Sequence, residues 1–169
     1  MRQIFISPHL DDAVLSVGGL IHAQNRSGLS PMVWTIMAGM PPNEVLSPLA
    51  QQLHDTWGLD SAREATHIRR KEDNQALKPL GAQVLHYDFL DCIYRRDKQG
   101  IPLYDDIFLP LHPEDDDLGE SIMLHLGSNL HPDDQLYCPL GIGMHVDHLH
   151  VRRSVGALGF SMRYYADIP

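Results

Sequence analysis

The sequence predicts an α/β fold, a mostly parallel sheet carrying helices on both faces. Three observations support this. Short apolar runs alternate with longer helix-patterned segments along the whole chain. Pro31 to Ala38 is apolar along most of its length, as a parallel strand buried on both faces is. The chain has 169 residues, 43% hydrophobic and 21% charged, which suits one soluble domain with a substantial core.

The elements follow in order. Arg2 to Ser7 reads as a buried strand, and Pro8-His9-Leu10-Asp11-Asp12 as a turn into a helix from about Asp12 to Arg26. Gly18-Gly19 inside that helix costs stability and predicts close approach to the sheet or another backbone. Pro31 to Ala38 is a second strand, and Gly39 to Pro48 a loop punctuated by three prolines. Leu49 to Leu80 is helical with a break near Gly58, Asp60 or Ser61 as N-cap and Gly81 as stop. Gln83 to Tyr87 is a third strand. Asp88 to Pro110 is irregular and long enough to carry function. Pro113 to Leu130 is a helix whose opening acids, Glu114 to Asp117, are explained by the helix dipole without a bound cation. Gln135 to Pro139, a helix from about Asp147 to Leu158, and a strand from Phe160 to Ala166 complete the pattern.

Thirteen basic against 22 acidic side chains give a net charge of −9, which disfavours nucleic acid and anionic membranes as partners. No stretch approaches the ~20 apolar residues of a membrane helix. The N-terminus runs straight into a strand without a signal-like apolar region, so a cytoplasmic location is expected. Cys92 and Cys138 lack CxxC spacing and read as small apolar fillers. Homo-oligomerisation is left open.

The eleven histidines are not evenly scattered. In an open parallel sheet, ligands bind beyond the carboxyl ends of the strands. His9 to Asp12 leaves the first strand, Asp88 to Tyr94 the third and Met144 to His148 the fourth, so all three polar clusters are expected at one edge. His9 and Asp12 are three apart, as are His145 and His148, so each pair can address one point. A histidine, a carboxylate and a second histidine suit Zn2+ with positions open for water and substrate; the same set suits non-haem Fe2+. If Asp12 coordinates, Asp11 is free to take a proton from the activated water as it attacks a carbonyl. His145 could then stabilise the oxyanion or protonate the leaving amine, and Asp147 is suited to orient a histidine.

Ser7-Pro8-His9-Leu10-Asp11-Asp12-Ala13-Val14-Leu15 with Gly18-Gly19 resembles the P-H-x-D-D signature of the PIG-L/LmbE-type zinc-dependent N-acetylglucosamine deacetylases. His145-Val146-Asp147-His148 resembles their H-x-D-H signature. The resemblance implies a Rossmann-like three-layer sandwich and zinc held by His9, Asp12 and His148. It implies Asp11 as general base and His145 as electrostatic or acid partner. Arg69-Arg70-Lys71-Glu72-Asp73 is similar to the family's R-x-x-E segment, and Asp91 to the acid after its third strand. By the resemblance Arg69 and Asp91 hydrogen-bond sugar hydroxyls; the bland alternative pairs Arg69 with Glu72 or Asp73 on a helix surface. The substrate so implied is a small-molecule amino-sugar conjugate. The rival readings are a metal-dependent hydrolase of a non-sugar amide or ester, and a non-catalytic sugar- or nucleotide-binding domain; the missing GxGxxG argues against nucleotide.

The likeness spans Ile4 to Pro169 and implies a single deacetylase domain over residues 1–169, shortened at its C-terminal end relative to the family. Met144 stands where relatives carry a small residue and predicts a more apolar pocket mouth. His131-Pro132-Asp133-Asp134 imitates the first motif but precedes a strand, and a turn explains it. His150, two past His148, is expected on the surface, and His22, His54, His67, His86, His112 and His125 are given no role.

Overall fold

A computed structural model of the chain describes residues 1–167; Ile168 and Pro169, the end of the domain expected over 1–169, lie outside the described residues. Five strands form one sheet: β1 (Gln3–Ser7), β2 (Pro31–Thr35), β3 (Gln83–His86), β4 (Gln135–Pro139) and β5 (Met162–Tyr165). Their order is β3-β2-β1-β4-β5, and every pairing is parallel. The helices are α1 (Asp12–Arg26), α2 (Pro48–Trp57), α3 (Ala62–Leu77), α4 (Asp116–Asn129) and α5 (Val146–Ala157).

The two faces of the sheet follow from alternation along the strands. Ile4 and Ile6 of β1 point with Trp34, Leu136 and Cys138 toward Ile122 and Leu126 of α4 and Val151 and Val155 of α5. Phe5, Val33, Tyr137 and Tyr165 point the other way, toward Ala13 and Ile21 of α1 and Leu77 of α3. Each large side chain buried in this way contributes about 1.5–3 kcal/mol of transfer free energy. The result is the three-layer sandwich. A third, smaller apolar cluster joins Ala50 of α2 to Ile93 and Tyr104 of the β3–α4 connection and to Val146 at the start of α5. Cys92 and Cys138 are both buried and free.

Local chemistry sets the element ends. Ser47 caps α2, accepting from the Ala50 N–H at 3.0 Å with Pro48 at the first helical position, and Gly58 closes the helix in the left-handed conformation. Ser61 caps α3, accepting from the Glu64 N–H at 3.2 Å, and the chain tightens into a 3₁₀ turn at Lys78–Leu80 before left-handed Gly81. The β2 ladder stops at Thr35, three residues before the expected Ala38. Ile36 and Met37 instead donate to Ser7 and Pro8 carbonyls, following the chain that turns out of β1.

Two expectations need correction. The Gly18-Gly19 pair does not meet the sheet or another backbone: a Cβ on Gly18 would press on the Leu80 side chain at 3.3 Å, and one on Gly19 would meet open space. The local irregularity lies at Val17, whose φ of −133° interrupts the helix. The acids opening the fourth helical segment are not all dipole partners. Asp116 and Asp117 stand in the first turn of α4, but Asp115 ends a preceding 3₁₀ turn with its carboxylate buried against Tyr104 and Arg95.

The imitation motif forms the same turn as the first motif. The His131 N–H donates to Asp134 Oδ2 at 2.7 Å, as the His9 N–H does to Asp12 Oδ2 at 2.7 Å. Asp134 then pairs with Arg2 at the start of β1, Oδ2 lying 2.5 Å from Nη2. The Arg2 hydrogen bond holds the Asp134 carboxyl at about 2, below its ordinary range. A carboxyl lowered in the folded state adds stability above its unfolded pKa, and that stability disappears as pH falls through the folded value. Asp134→Asn should therefore cost about 1 kcal/mol at pH 6. Urea melts from pH 6 to 2 should show the gap to wild type closing between about pH 4 and 2; a gap unchanged down to pH 2 removes the ion pair as its cause.

Candidate metal and active site

β1 and β4 are neighbours, yet the chain leaves β1 for one face and β4 for the other. A crevice opens beyond the carboxyl ends of strands at such a switch point. The turn after β1 and the turn into α5 meet there around a cavity of about 570 Å³. Polar lining comes from His9, Asp11, Asp12, Arg69, Asp91, His145 and His148, and an apolar wall from Leu53, Trp57, Ile93 and Ile107.

Each functional side chain is fixed by its own backbone. Ser7 Oγ donates to the His9 carbonyl at 2.7 Å and accepts from the Ala13 N–H at 3.0 Å, winding the turn tightly. Asp12 is thereby turned inward, with Oδ2 3.3 Å from His9 Nδ1 and 3.3 Å from His148 Nε2. The His9, His145 and His148 ring centroids lie 4.8 to 5.3 Å apart. Residues 9 and 148 are thus in reach of one point.

The outer nitrogens are committed elsewhere. His9 Nε2 lies 2.9 Å from Asp147 Oδ2, and His148 Nδ1 lies 2.5 Å from Asp167 Oδ2. Histidines that ligate metals pair their second nitrogen with a carboxylate in this way. The inner His148 Nε2 is buried without a hydrogen-bond partner. His9, Asp12 and His148 offer ligand atoms within 4.8 Å of one another, and this donor set fits a divalent cation. Two other groupings meet the same distance test, His9-His145-Asp147 and Asp91-Cys92-Asp147. Asp147 is fully buried and already accepts from Arg95, the Cys92 N–H and His9, which commits it to holding those groups.

The electrostatics agree. Burial opposes charge on His9, but Asp91, Asp12 and Asp147 together raise its pKa well above the ordinary value. Burial likewise opposes ionisation of Asp12, and His148 and His9 overcome it and lower its pKa. Negative charge that favours a proton on this cluster would favour a cation in its place. Asp11 differs from Asp12. Its side chain is half exposed to the cavity, with Arg69 Nη2 3.7 Å from Oδ1. The surrounding protein raises the Asp11 carboxyl, and Arg69 pulls against that rise.

His145 caps α5, its Nδ1 accepting from the Asp147 N–H at 3.1 Å. Burial, then the charge on His9, lowers its pKa to about 4, so the ring is neutral at pH 7. With Nδ1 accepting, the proton sits on Nε2. Arg69 reaches the cavity rather than pairing with Glu72 or Asp73: Nη1 lies 3.9 Å from Asp91 Oδ2, and its guanidinium sits 4.7 Å over the Trp57 ring. Asp73 is taken by His86 at 2.8 Å. Asp91 lines the cavity and also caps the 3₁₀ turn Cys92–Tyr94, accepting from the Ile93 N–H.

Two placements, those of His150 and Met144, differ from expectation. His150 is buried, 3.3 Å from Asp115, because α5 is covered on more than one side. Met144 is exposed and does not line the cavity; it takes a left-handed φ of 66°, a conformation glycine adopts more cheaply. His54 is fully buried, bonded to the Leu59 carbonyl and the Tyr94 hydroxyl. Sequence reasoning missed Asp167, Arg95 and Asp115. Only Asp167 carried a usable signal, an acid just past the carboxyl end of a strand adjoining β4.

Comparison with known proteins accords with this geometry. The chain is 29% identical over 185 residues to a 2′-N-acetylparomamine deacetylase of Niallia circulans, covering 98% of this chain and 66% of that protein's length. It superposes on a deacetylase of teicoplanin biosynthesis, solved in complex with teicoplanin, with TM-score 0.88 and 31% identity, covering 100% of this chain and 71% of the other. The zinc-inhibited form of a teicoplanin deacetylase matches with TM-score 0.86 and 33% identity, over 100% of this chain and 68% of that one. Residues 4–158 match the family described as PIG-L, GlcNAc-PI de-N-acetylase. The chain therefore belongs to the PIG-L family.

Proposed function

We propose that this protein is a metal-dependent N-deacetylase, hydrolysing the acetamide of an N-acetylglucosamine-type conjugate to a free amine and acetate. The observation that carries this is the division of roles between adjacent carboxylates. Asp12 is turned in among His9 and His148, while Asp11 is half exposed to the same cavity. The relatives named above are deacetylases of an aminoglycoside precursor and of teicoplanin biosynthesis, which supports an amino-sugar substrate.

His9, Asp12 and His148 would hold the cation, with Zn2+ the first candidate and Fe2+ an alternative. A bound divalent ion supplies Lewis acidity, polarising the amide carbonyl and acidifying water. Asp11, raised by its surroundings, accepts the proton of the attacking water. His145 presents a neutral Nε2–H to the developing oxyanion, and the proton taken up by Asp11 passes to the amine as the C–N bond breaks. Asp147 acts through His9 as a positioning residue. Arg69, Asp91, Trp57 and Leu53 line the cavity; in this reading Arg69 and Asp91 bind sugar hydroxyls, and Trp57 with Leu53 packs against the apolar part of the substrate. No helix among the described residues is long and apolar enough to cross a membrane.

Acetate release from a panel of N-acetylglucosaminides should stop with chelator and return with a divalent metal. Release that persists in metal-stripped protein ends the metal reading, and hydrolysis of esters with no acetamide cleavage ends the substrate reading. Asp11→Asn should keep its metal and lose roughly 10²–10⁴-fold in kcat; wild-type turnover there removes Asp11 as the base. Asp167→Ala frees His148 Nδ1 and should weaken Zn2+ binding by about 10–100-fold. Unchanged affinity by calorimetry would show that His148 does not bind through its inner nitrogen.

A further inference from the structure

Behind the histidines lies a buried charged assembly that the reaction does not use directly. Arg95 is 7% exposed, Asp115 5% and Asp147 0%. Arg95 Nη1 donates to Asp147 Oδ1 at 2.5 Å and to the Leu90 carbonyl at 3.0 Å. Its Nε lies 2.9 Å from Asp115 Oδ2, an ion pair whose angle falls short of a straight hydrogen bond. Asp115 Oδ2 also accepts from the Tyr104 hydroxyl at 2.7 Å and lies 3.3 Å from His150 Nε2. The Tyr104 ring lies 5.3 Å below the Arg95 guanidinium.

Such an assembly is costly. Each buried ion forfeits several kcal/mol of hydration, and well-packed apolar residues often replace buried ion pairs without loss of stability. Stability is therefore a weak reason for it, and its connection to the site is direct. Asp147 Oδ1 is held by Arg95, while Oδ2 receives both His9 Nε2 and the Cys92 N–H, each at 2.9 Å. One carboxylate thus aims the His9 ring and pins the segment that carries Asp91 and Ile93 into the cavity wall. Its orientation depends on the group that holds the other oxygen.

We propose that Arg95, braced by Asp115, is a positioning residue for the metal site: it locks the Asp147 carboxylate so that His9 presents Nδ1 to the cation shared with Asp12 and His148. This rests on the metal reading above. The planar guanidinium matters because it addresses Asp147 and Asp115 at once through separate nitrogens in fixed relation. A lysine ammonium has the charge but not the fork.

The test uses metal-stripped protein titrated with Zn2+ by calorimetry, and Co2+-loaded protein read by visible absorption. Arg95→Lys and Asp115→Asn are compared with wild type and with Asp134→Asn, which loses an ion pair at the opposite edge of the sheet. Arg95→Lys should bind Zn2+ about 10–100-fold more weakly and shift the Co2+ bands. Asp115→Asn should do the same to a smaller degree, and Asp134→Asn should lose stability while keeping wild-type affinity and spectrum. Wild-type Zn2+ affinity and Co2+ absorption in folded Arg95→Lys overturn the inference. If that variant does not fold, the same result in Asp115→Asn overturns it. A wild-type protein that takes up neither cation overturns the metal reading and this inference together, a result distinguishable from failure of Arg95 alone.

Discussion

The carboxylate of Asp147 is the group on which the site's geometry depends. It is fully buried, where an isolated carboxylate would take up a proton. Burial opposes its ionisation, yet Arg95 and then His9 hold its pKa well below the usual range. It therefore stays an acceptor on both oxygens and joins three separate parts of the chain: the turn after β1, the segment after β3 and the start of α5. Asp167 does the same for His148, tying it to the Gly141 N–H beyond β4. Both histidines are aimed from behind, so each inner nitrogen converges on Asp12 without help from the cavity itself.

Sheet topology makes that convergence available. Because β1 pairs with β4 in parallel, their carboxyl ends lie at the same edge. Because the chain leaves them toward opposite faces, the space between is not filled by a crossing helix. Elements distant in sequence are brought within hydrogen-bonding range by strand register, and the side chains need only short reaches. The apolar cluster under α2 closes one side of the crevice and places Trp57 over Arg69.

Much of this was legible in the sequence, for identifiable reasons. The strands of the core were readable because burial on both faces demands unbroken apolar runs. The helix from Asp12 to Arg26 and the strand from Gln135 to Pro139 were found to the residue. His9, Asp12, His145 and His148 were legible because short spacing and a known signature concentrate polar residues at strand ends, and the structure brings these four together. Arg95, Asp115 and His150 were not. Their partners lie 20 to 52 positions apart within the set Arg95–Asp115–Asp147, and pairing at that range leaves no periodic trace. His150 does not line the cavity and instead meets Asp115; the side of α5 that carries it is not solvent, since α5 also buries Val151, Ser154 and Val155.

The imitation motif separates what a local sequence decides from what it does not. His9 to Asp12 and His131 to Asp134 make the same hydrogen bond between a backbone N–H and the second aspartate, at the same distance. Local chemistry thus dictates the turn in both places. One turn follows a strand and the other precedes one, so the parallel sheet sends them to opposite edges. At the carboxyl edge the aspartate meets His148 and becomes part of a polar cluster around a cavity. At the amino edge it meets Arg2 and becomes an ordinary ion pair. The signature is therefore informative only together with strand direction, because direction decides whether the carboxylate meets buried histidines at a cavity or a cation of the chain's own.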